Sequence, residues 1–128
     1  MIRPGLEATI EETVAEAMTA LSLGSGDVPV LGTPAVLALV ERAACSAIQS
    51  YLPDGQTSVG SWVELSHLAP TPQWAEVRAT ARLAEVDGRK LTFEFSVTDP
   101  GGEVARGRHR RVLVDRENFL EESTKRSS

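Results

Sequence analysis

The sequence predicts an α+β domain in which one long helix lies against an antiparallel β-sheet. Two observations carry that prediction. Residues 33–52 are apolar on nearly every side at helical spacing, with Arg42, Ser46, Gln49 and Ser50 as a narrow polar stripe, so the rest of the fold must bury this helix. From Ser58 onward the chain changes to period two, the pattern of strands with two unlike faces.

Taken in order, residues 6–14 alternate loosely, Leu6, Ala8 and Ile10 against Glu7, Thr9 and Glu11, which reads as a first strand. Residues 15–23 fit either a short helix or a continuation of that strand. Gly24, Ser25, Gly26 and Asp27 form a flexible loop. The long helix then begins at Thr33, whose hydroxyl suits an N-cap, with Pro34 in the first helical position, where a missing N–H costs nothing. Pro53, Asp54 and Gly55 stop it.

In the next strand Val59, Ser61, Val63, Leu65 and His67 share one face and Gly60, Trp62, Glu64 and Ser66 the other, until Pro70 and Pro72 break the run. Residues 73–86 alternate Val77, Ala79, Ala81 and Leu83 with Glu76, Arg78, Thr80 and Arg82. Asp87-Gly88 signals a hairpin, after which Leu91, Phe93, Phe95 and Val97 alternate with Lys90, Thr92, Glu94 and Ser96. A last strand covers 103–114, and Asp115 caps a short terminal helix. The expected order is one strand, the helix, then a meander of four antiparallel strands. Ala79, Ala81, Ala105 and Gly107 leave room for close packing on the second face of the sheet; a second copy of the chain is the simplest cover, which predicts a homodimer.

A chain of 128 residues fits one domain, taken as residues 1–122, with 123–128 as a frayed polar tail. The net charge of −5 argues against general nucleic-acid binding. One cysteine permits neither an intramolecular disulfide nor a multi-cysteine metal site, and Cys45, set in the apolar helix, reads as a buried filler. The N-terminus has no apolar run like a signal peptide, and no stretch has the ~18 apolar residues of a membrane span, so a cytoplasmic location is the expectation.

Two residues stand out on local grounds. Glu41 lies outside the polar stripe, with Leu37, Ala38, Ala44 and Cys45 one turn away; a carboxylate there must find a basic partner, reach a cleft or take up a proton. His67 closes a strand whose same-face neighbours are Leu65, Val63 and Val59, where a histidine serves either structure or proton transfer. Arg106, Arg108 and Arg110 recur at period two on the last strand, either as a basic ridge able to hold phosphates or as partners of cross-strand acids; His109 points the other way.

These residues carry a resemblance. Thr33, Glu41, Gly60 and His67, within Leu31-Gly-Thr33-Pro-Ala-Val-Leu-Ala-Leu-Val-Glu41 and Ser58-Val-Gly60-Ser-Trp-Val-Glu-Leu-Ser-His67, occur in the order and spacing of the hotdog-fold thioesterase family that contains the fluoroacetyl-CoA thioesterase. The similarity continues through Glu85-Val-Asp-Gly-Arg89 to Asn118-Phe119. It implies a hotdog fold, a dimer with acyl-CoA sites at the subunit interface, and hydrolysis of an acyl-CoA thioester. Coenzyme A enters only as part of the substrate, with no other cofactor and no metal. The segment from Leu23 to Leu31 has no aromatic residue where the specialised member has several, so the resemblance extends to a thioesterase of unassigned acyl group.

On that resemblance Thr33, Glu41 and His67 are the catalytic residues and Gly60 supplies a backbone N–H. Glu41 acts as base or as nucleophile, made more basic by low dielectric. Thr33 orients the carboxylate or the substrate beside the positive end of the helix, and His67 moves protons to the leaving thiolate. Arg106 and Arg108 are the candidate contacts to the phosphates of coenzyme A. The alternative from another functional class is a non-catalytic acyl-CoA or small-ligand binding dimer on the same scaffold.

Overall fold

The computed structural model describes residues 1–127. Its elements are β1 (Glu7–Thr13), a 3-10 turn, α1 (Ala20–Leu23), α2 (Thr33–Ile48) with a 3-10 extension over Gln49–Tyr51, β2 (Gln56–His67), β3 (Glu76–Asp87), β4 (Lys90–Asp99), β5 (Gly102–Asp115) and α3 (Arg116–Lys125). Residues 15–23 thus take the helical of the two readings.

All five strands form one antiparallel sheet in the order β1-β3-β4-β5-β2. Only β3, β4 and β5 make a meander. The expected four-strand meander is wrong at β2, which pairs with β5 at one edge instead of with β3. Residues 68–75, with Pro70 and Pro72, carry the chain across the end of the sheet. β3 and β4 join through a two-residue loop closed by Asp87 and Lys90, where Gly88 at φ +60° supplies the turn.

One face of the sheet packs on α2. Val36, Leu39, Val40, Ala43, Ala44 and Ile48 of the helix meet Val77, Ala79, Ala81, Leu83, Leu91, Phe93 and Val97 in a single core. Each fully buried Val, Leu or Ile contributes about 1.5–3 kcal/mol before conformational entropy is charged against it. Most of the apolar surface of α2 is therefore consumed within the chain, while Pro34 and Ala38 stay exposed and Leu37 half-buried. Ala79, Ala81 and Ala105 face the helix and are fully buried, which corrects the sequence argument for a dimer from small residues on a second, apolar face. The outer face carries the alternate residues, Arg78, Arg82, Glu94, Arg106, Arg108 and Arg110. Cys45 is half-buried, a correction of its reading as a buried filler.

The strap before α2 is stitched down. Gly32 N–H donates to the Met18 carbonyl, Leu31 N–H to the Thr71 carbonyl, and buried Thr71 donates its hydroxyl to Asp99. These bonds fix where the helix starts. At the other end of the chain α3 runs on through residues 123–125, so that part of the expected tail is helical; the tail's last residue, Ser128, lies outside the described residues. Among the described residues no helix is long and apolar enough to cross a membrane.

Candidate active site

Two polar clusters lie along α2. The first is at its N-terminus. The helix cap is Gly32, whose carbonyl accepts from Ala35 and Val36, so Thr33 is the first helical residue and not the N-cap expected from sequence. Its hydroxyl is 2.8 Å from His67 Nδ1. A single-residue shift in the helix start thus turns a capping hydroxyl into the partner of an imidazole. His67 Nε2 is buried and has no hydrogen-bond partner among the described residues. Buried polar nitrogens without partners are uncommon and costly, and where they occur they ask for an explanation in terms of function. His67 lines a cleft of about 210 Å³ with Val30, Leu68, Ala69 and Pro70.

The second cluster surrounds Glu41, eight residues and about 12 Å further along the helix axis. Its carboxylate meets Arg111 NH1 at 3.3 Å; the Glu41 side chain is 41% exposed and that of Arg111 only 7%. The sequence reading relied on a dry environment to activate Glu41. The geometry within one chain is instead a half-exposed ion pair, because the carboxylate leaves the helix toward β2 and β5 and not toward the core. Arg111 is held by four bonds: its Nε donates to Ser58 Oγ at 2.8 Å, NH2 to the Ser58 carbonyl at 3.1 Å, and NH1 to both Glu41 and His109 Nε2, the latter at 3.1 Å.

His109 completes the group. Its Nδ1 donates to the Trp62 carbonyl at 2.9 Å and its ring stacks on Phe93. Because a carbonyl can only accept, Nδ1 carries the proton and Nε2 accepts from Arg111: the ring is neutral, with its tautomer fixed. Burial pushes its pKa below the ordinary histidine value; the Arg111 charge adds to this, while the Trp62 bond and Glu41 oppose it.

Gly60 is the floor of this cluster. A Cβ there would sit 2.7 Å from Glu41 Oε2, 3.2 Å from His109 Cε1 and 3.5 Å from Arg111 NH1. Strict alternation had put Gly60 on the face opposite His67. A β-bulge between Gly60 and Trp62 corrects this: the extra residue, Ser61, lets Gly60 oppose Arg111 while Val63, Leu65 and His67 oppose His109, Gly107 and Ala105. All eight therefore face α2. Leu37, Glu41, Gly60, Ser61, Trp62, Val63 and His109 line a cleft of about 270 Å³.

The structure brings Thr33 to His67 and Glu41 to Gly60, but within one chain it keeps the two pairs apart. Arg106 and Arg108 are on the outer face, in exposed ion pairs with Glu103 at 3.1 Å and Glu85 at 3.6 Å, and they line a third cleft together with Glu64 and Glu94. Arg110 lies over the Trp62 ring at 4.4 Å. Sequence reasoning missed Arg111 and gave His109 no role. The available signal was parity: residues 105, 107, 109, 111 and 113 alternate with the outward arginines, so a histidine and an arginine had to enter the interior and find partners there. Among the described residues no group of three or more His, Cys, Asp or Glu is placed to hold a metal ion.

The chain matches the family described as "FlK: Fluoroacetyl-CoA-specific thioesterase" over residues 14–117. It is 34% identical over 90 residues to the fluoroacetyl-CoA thioesterase of Streptantibioticus cattleyicolor, a match covering 70% of this chain and 65% of that relative, under two thirds of its length. Among solved structures, a phenylalanine-to-alanine variant of the fluoroacetyl-CoA-specific thioesterase FlK in complex with fluoroacetate and CoA superposes with a TM-score of 0.87 at 30% identity, covering 92% of this chain and 99% of that one. A Thermus thermophilus thioesterase superfamily member superposes with a TM-score of 0.88 at 27% identity, covering 98% and 96%. The architecture is the hotdog fold.

Proposed function

The chain belongs to the fluoroacetyl-CoA-specific thioesterase family, and from that premise we propose that it hydrolyses an acyl-CoA thioester to the free acid and coenzyme A. The observation that carries the proposal is the pair of half-sites on one face of the fold. One is a hydroxyl–imidazole pair with a free Nε2; the other is a carboxylate anchored by a buried guanidinium beside a glycine floor. Glu41 activates water or attacks the thioester carbonyl. His67, held by Thr33, transfers the proton that the leaving thiolate needs. The Gly60 backbone lies against the same cleft, where it can receive the carbonyl oxygen. Arg106 and Arg108 receive the phosphates of coenzyme A; their present ion pairs are exposed, worth at most about 1 kcal/mol each, and readily exchanged. The absence of aromatic side chains in residues 23–31 supports acyl-CoA thioesters as a class over the fluoroacetyl ester alone.

The proposal includes a homodimer acting in the cytoplasm. β2 is an edge strand of twelve residues with one side unpaired in the chain. Antiparallel self-pairing across its middle sets His67 of one copy beside the Gly60 half of β2 in the other. That brings the two half-sites closer together than they lie within one chain.

Thiol release from a panel of acyl-CoAs tests the activity. Glu41→Gln should lose roughly 10²- to 10⁴-fold, and a single turnover in ¹⁸O-water should label the Glu41 carboxylate only if it is the nucleophile. Thermal stabilisation by acyl-CoA with no thiol released from any ester would favour the non-catalytic binding dimer. Mixing Glu41→Ala with His67→Ala tests the shared site. Reassorted dimers should regain about a quarter of parent activity if each site draws on both copies, and none if each copy holds a whole site.

A further inference from the structure

Glu41 is anchored by one group, Arg111, and Arg111 is aimed by two, Ser58 and His109. Ser58 fixes the Nε and NH2 edges of the guanidinium. His109 Nε2 takes the remaining one, NH1, the nitrogen that also serves the carboxylate. The imidazole is itself immobilised, bonded to the Trp62 carbonyl, stacked on Phe93 and only 2% exposed. That carbonyl belongs to the bulged segment of β2.

We propose that His109 is a positioning residue of the thioesterase site, whose neutral Nδ1–H tautomer aims Arg111 at Glu41, and that protonation of His109 disarms the site. This rests on the thioesterase reading for its effect on turnover, though not for the network itself. A second proton on the ring would sit on Nε2, where two donors and two positive charges would face each other across 3.1 Å. Arg111 NH1 must then turn away, and Glu41 loses its anchor. The charged groups around the ring are Arg111 on its own strand and Glu41 on α2; β2 faces it with the Trp62 carbonyl and Gly60, and β4 with Phe93. Among the described residues Glu41 is the carboxylate that favours the imidazolium, and it is already paired with Arg111.

Two substitutions and one spectrum test the inference. In His109→Phe the ring shape stays and both hydrogen bonds go. We expect kcat to fall roughly ten- to hundredfold, the worth of one hydrogen bond to a charged group, with KM little changed. His109→Gln keeps an N–H for Trp62 and an acceptor for Arg111 but cannot titrate. It should recover much of kcat, and its fall in activity on the acid side should begin at lower pH than the parent's, since Glu41 and His67 still titrate in both. ¹⁵N spectra of histidine-labelled protein read the tautomer directly, without turnover. A neutral Nδ1–H ring at pH 7 supports the network. An Nε2–H or doubly protonated ring overturns it, as does a His109→Phe enzyme with the parent's kcat and pH profile. If the tautomer is as expected and no acyl-CoA is cleaved by the parent, the thioesterase reading fails and the network stands.

Discussion

The substitution Gly60→Ala separates the site from the scaffold. Gly60 does not use a left-handed backbone, so alanine meets no strain in φ. What the new methyl meets is the cluster. Non-bonded contact begins near 3.4 Å, so at 2.7 Å the Glu41 carboxylate must retreat by at least about 0.7 Å. His109 Cε1, at 3.2 Å, need give only a few tenths of an ångström, which suits a ring bonded on both nitrogens and packed on Phe93. Glu41 is the half-exposed group at the end of a flexible side chain, so it is the one to give way. Its bond to Arg111, already 3.3 Å, is then lost.

The two consequences differ in size. The lost pair, discounted for the exposure of Glu41, is worth about 1 kcal/mol or less. Replacing a strand glycine by alanine returns about 0.5–1 kcal/mol. Net stability should therefore stay within about 1 kcal/mol of the parent, which is less than about 5 °C in Tm. A catalytic group displaced by about 1 Å can cost roughly 10²-fold in rate, so kcat should fall by about that factor. Thermal unfolding and thiol release on the best acyl-CoA of the panel measure both. Activity within threefold of the parent would show that Glu41 need not sit where Arg111 holds it. A loss above about 3 kcal/mol would show that the cluster is rigid packing and not a poised site.

Three further outcomes follow from the same geometry. Thr33→Val should leave stability within about 0.5 kcal/mol, because Gly32 is the cap and no capping bond of about 1 kcal/mol is lost, while turnover drops tenfold or more with the His67 contact gone. Gly107→Ala should destabilise by more than about 3 kcal/mol in urea unfolding, since its methyl would collide with the Glu64 carbonyl and approach the Phe95 ring at 2.8 Å, forcing β2 off β5. Because the His109 pKa is lowered on folding, the unfolded chain binds more protons below about pH 6.5; the stability tied to the neutral ring is complete above that pH and is lost as pH falls toward the folded-state pKa. Urea midpoints at pH 5 and pH 7.5 should differ less in His109→Gln than in the parent.

The helix and the inward sets of β3 and β4 were legible because apolar periodicity is decided by burial, and these residues are buried. Thr33, Glu41, Gly60 and His67 were singled out as a set through a family resemblance; where the fold places each of them was not legible. The bulge at Ser61 explains much of that gap. Val59, Gly60, Ser61 and Trp62 offer no one-sided apolar pattern, so nothing in the residue types pins the register there, and an inserted residue leaves the apparent alternation intact. Strand order was beyond reach for a different reason. Placing β2 beside β5 depends on contacts distant in sequence, which local periodicity does not encode. Arg111 escaped notice because an arginine in an Arg-rich strand reads as surface until its parity is followed inward.

The bulge also explains how one strand serves two half-sites. In a regular β2, with Val63, Leu65 and His67 facing α2, Gly60 would face outward and Ser58 with it. Arg111 would then lose the hydroxyl that fixes its Nε, and Glu41 would face a side chain in place of open backbone. The single extra residue brings Ser58 and Gly60 onto the helix side while His67 keeps its place at the strand end. It also falls near the middle of the unpaired edge, where a second copy must pair if the dimer forms through β2. A local increase in twist at that point sets how the two copies cross, and with it the distance from Glu41 of one to His67 of the other. Deleting Ser61 should therefore separate the two: the ladder becomes regular with Gly60 still opposite Arg111 and Trp62 opposite Arg110, so Arg111 should keep Ser58 within the chain, while the register between copies shifts. Thiol release that falls with the core of α2 on β3 and β4 intact would place the bulge's effect at the edge between copies, and activity equal to the parent's would refute it.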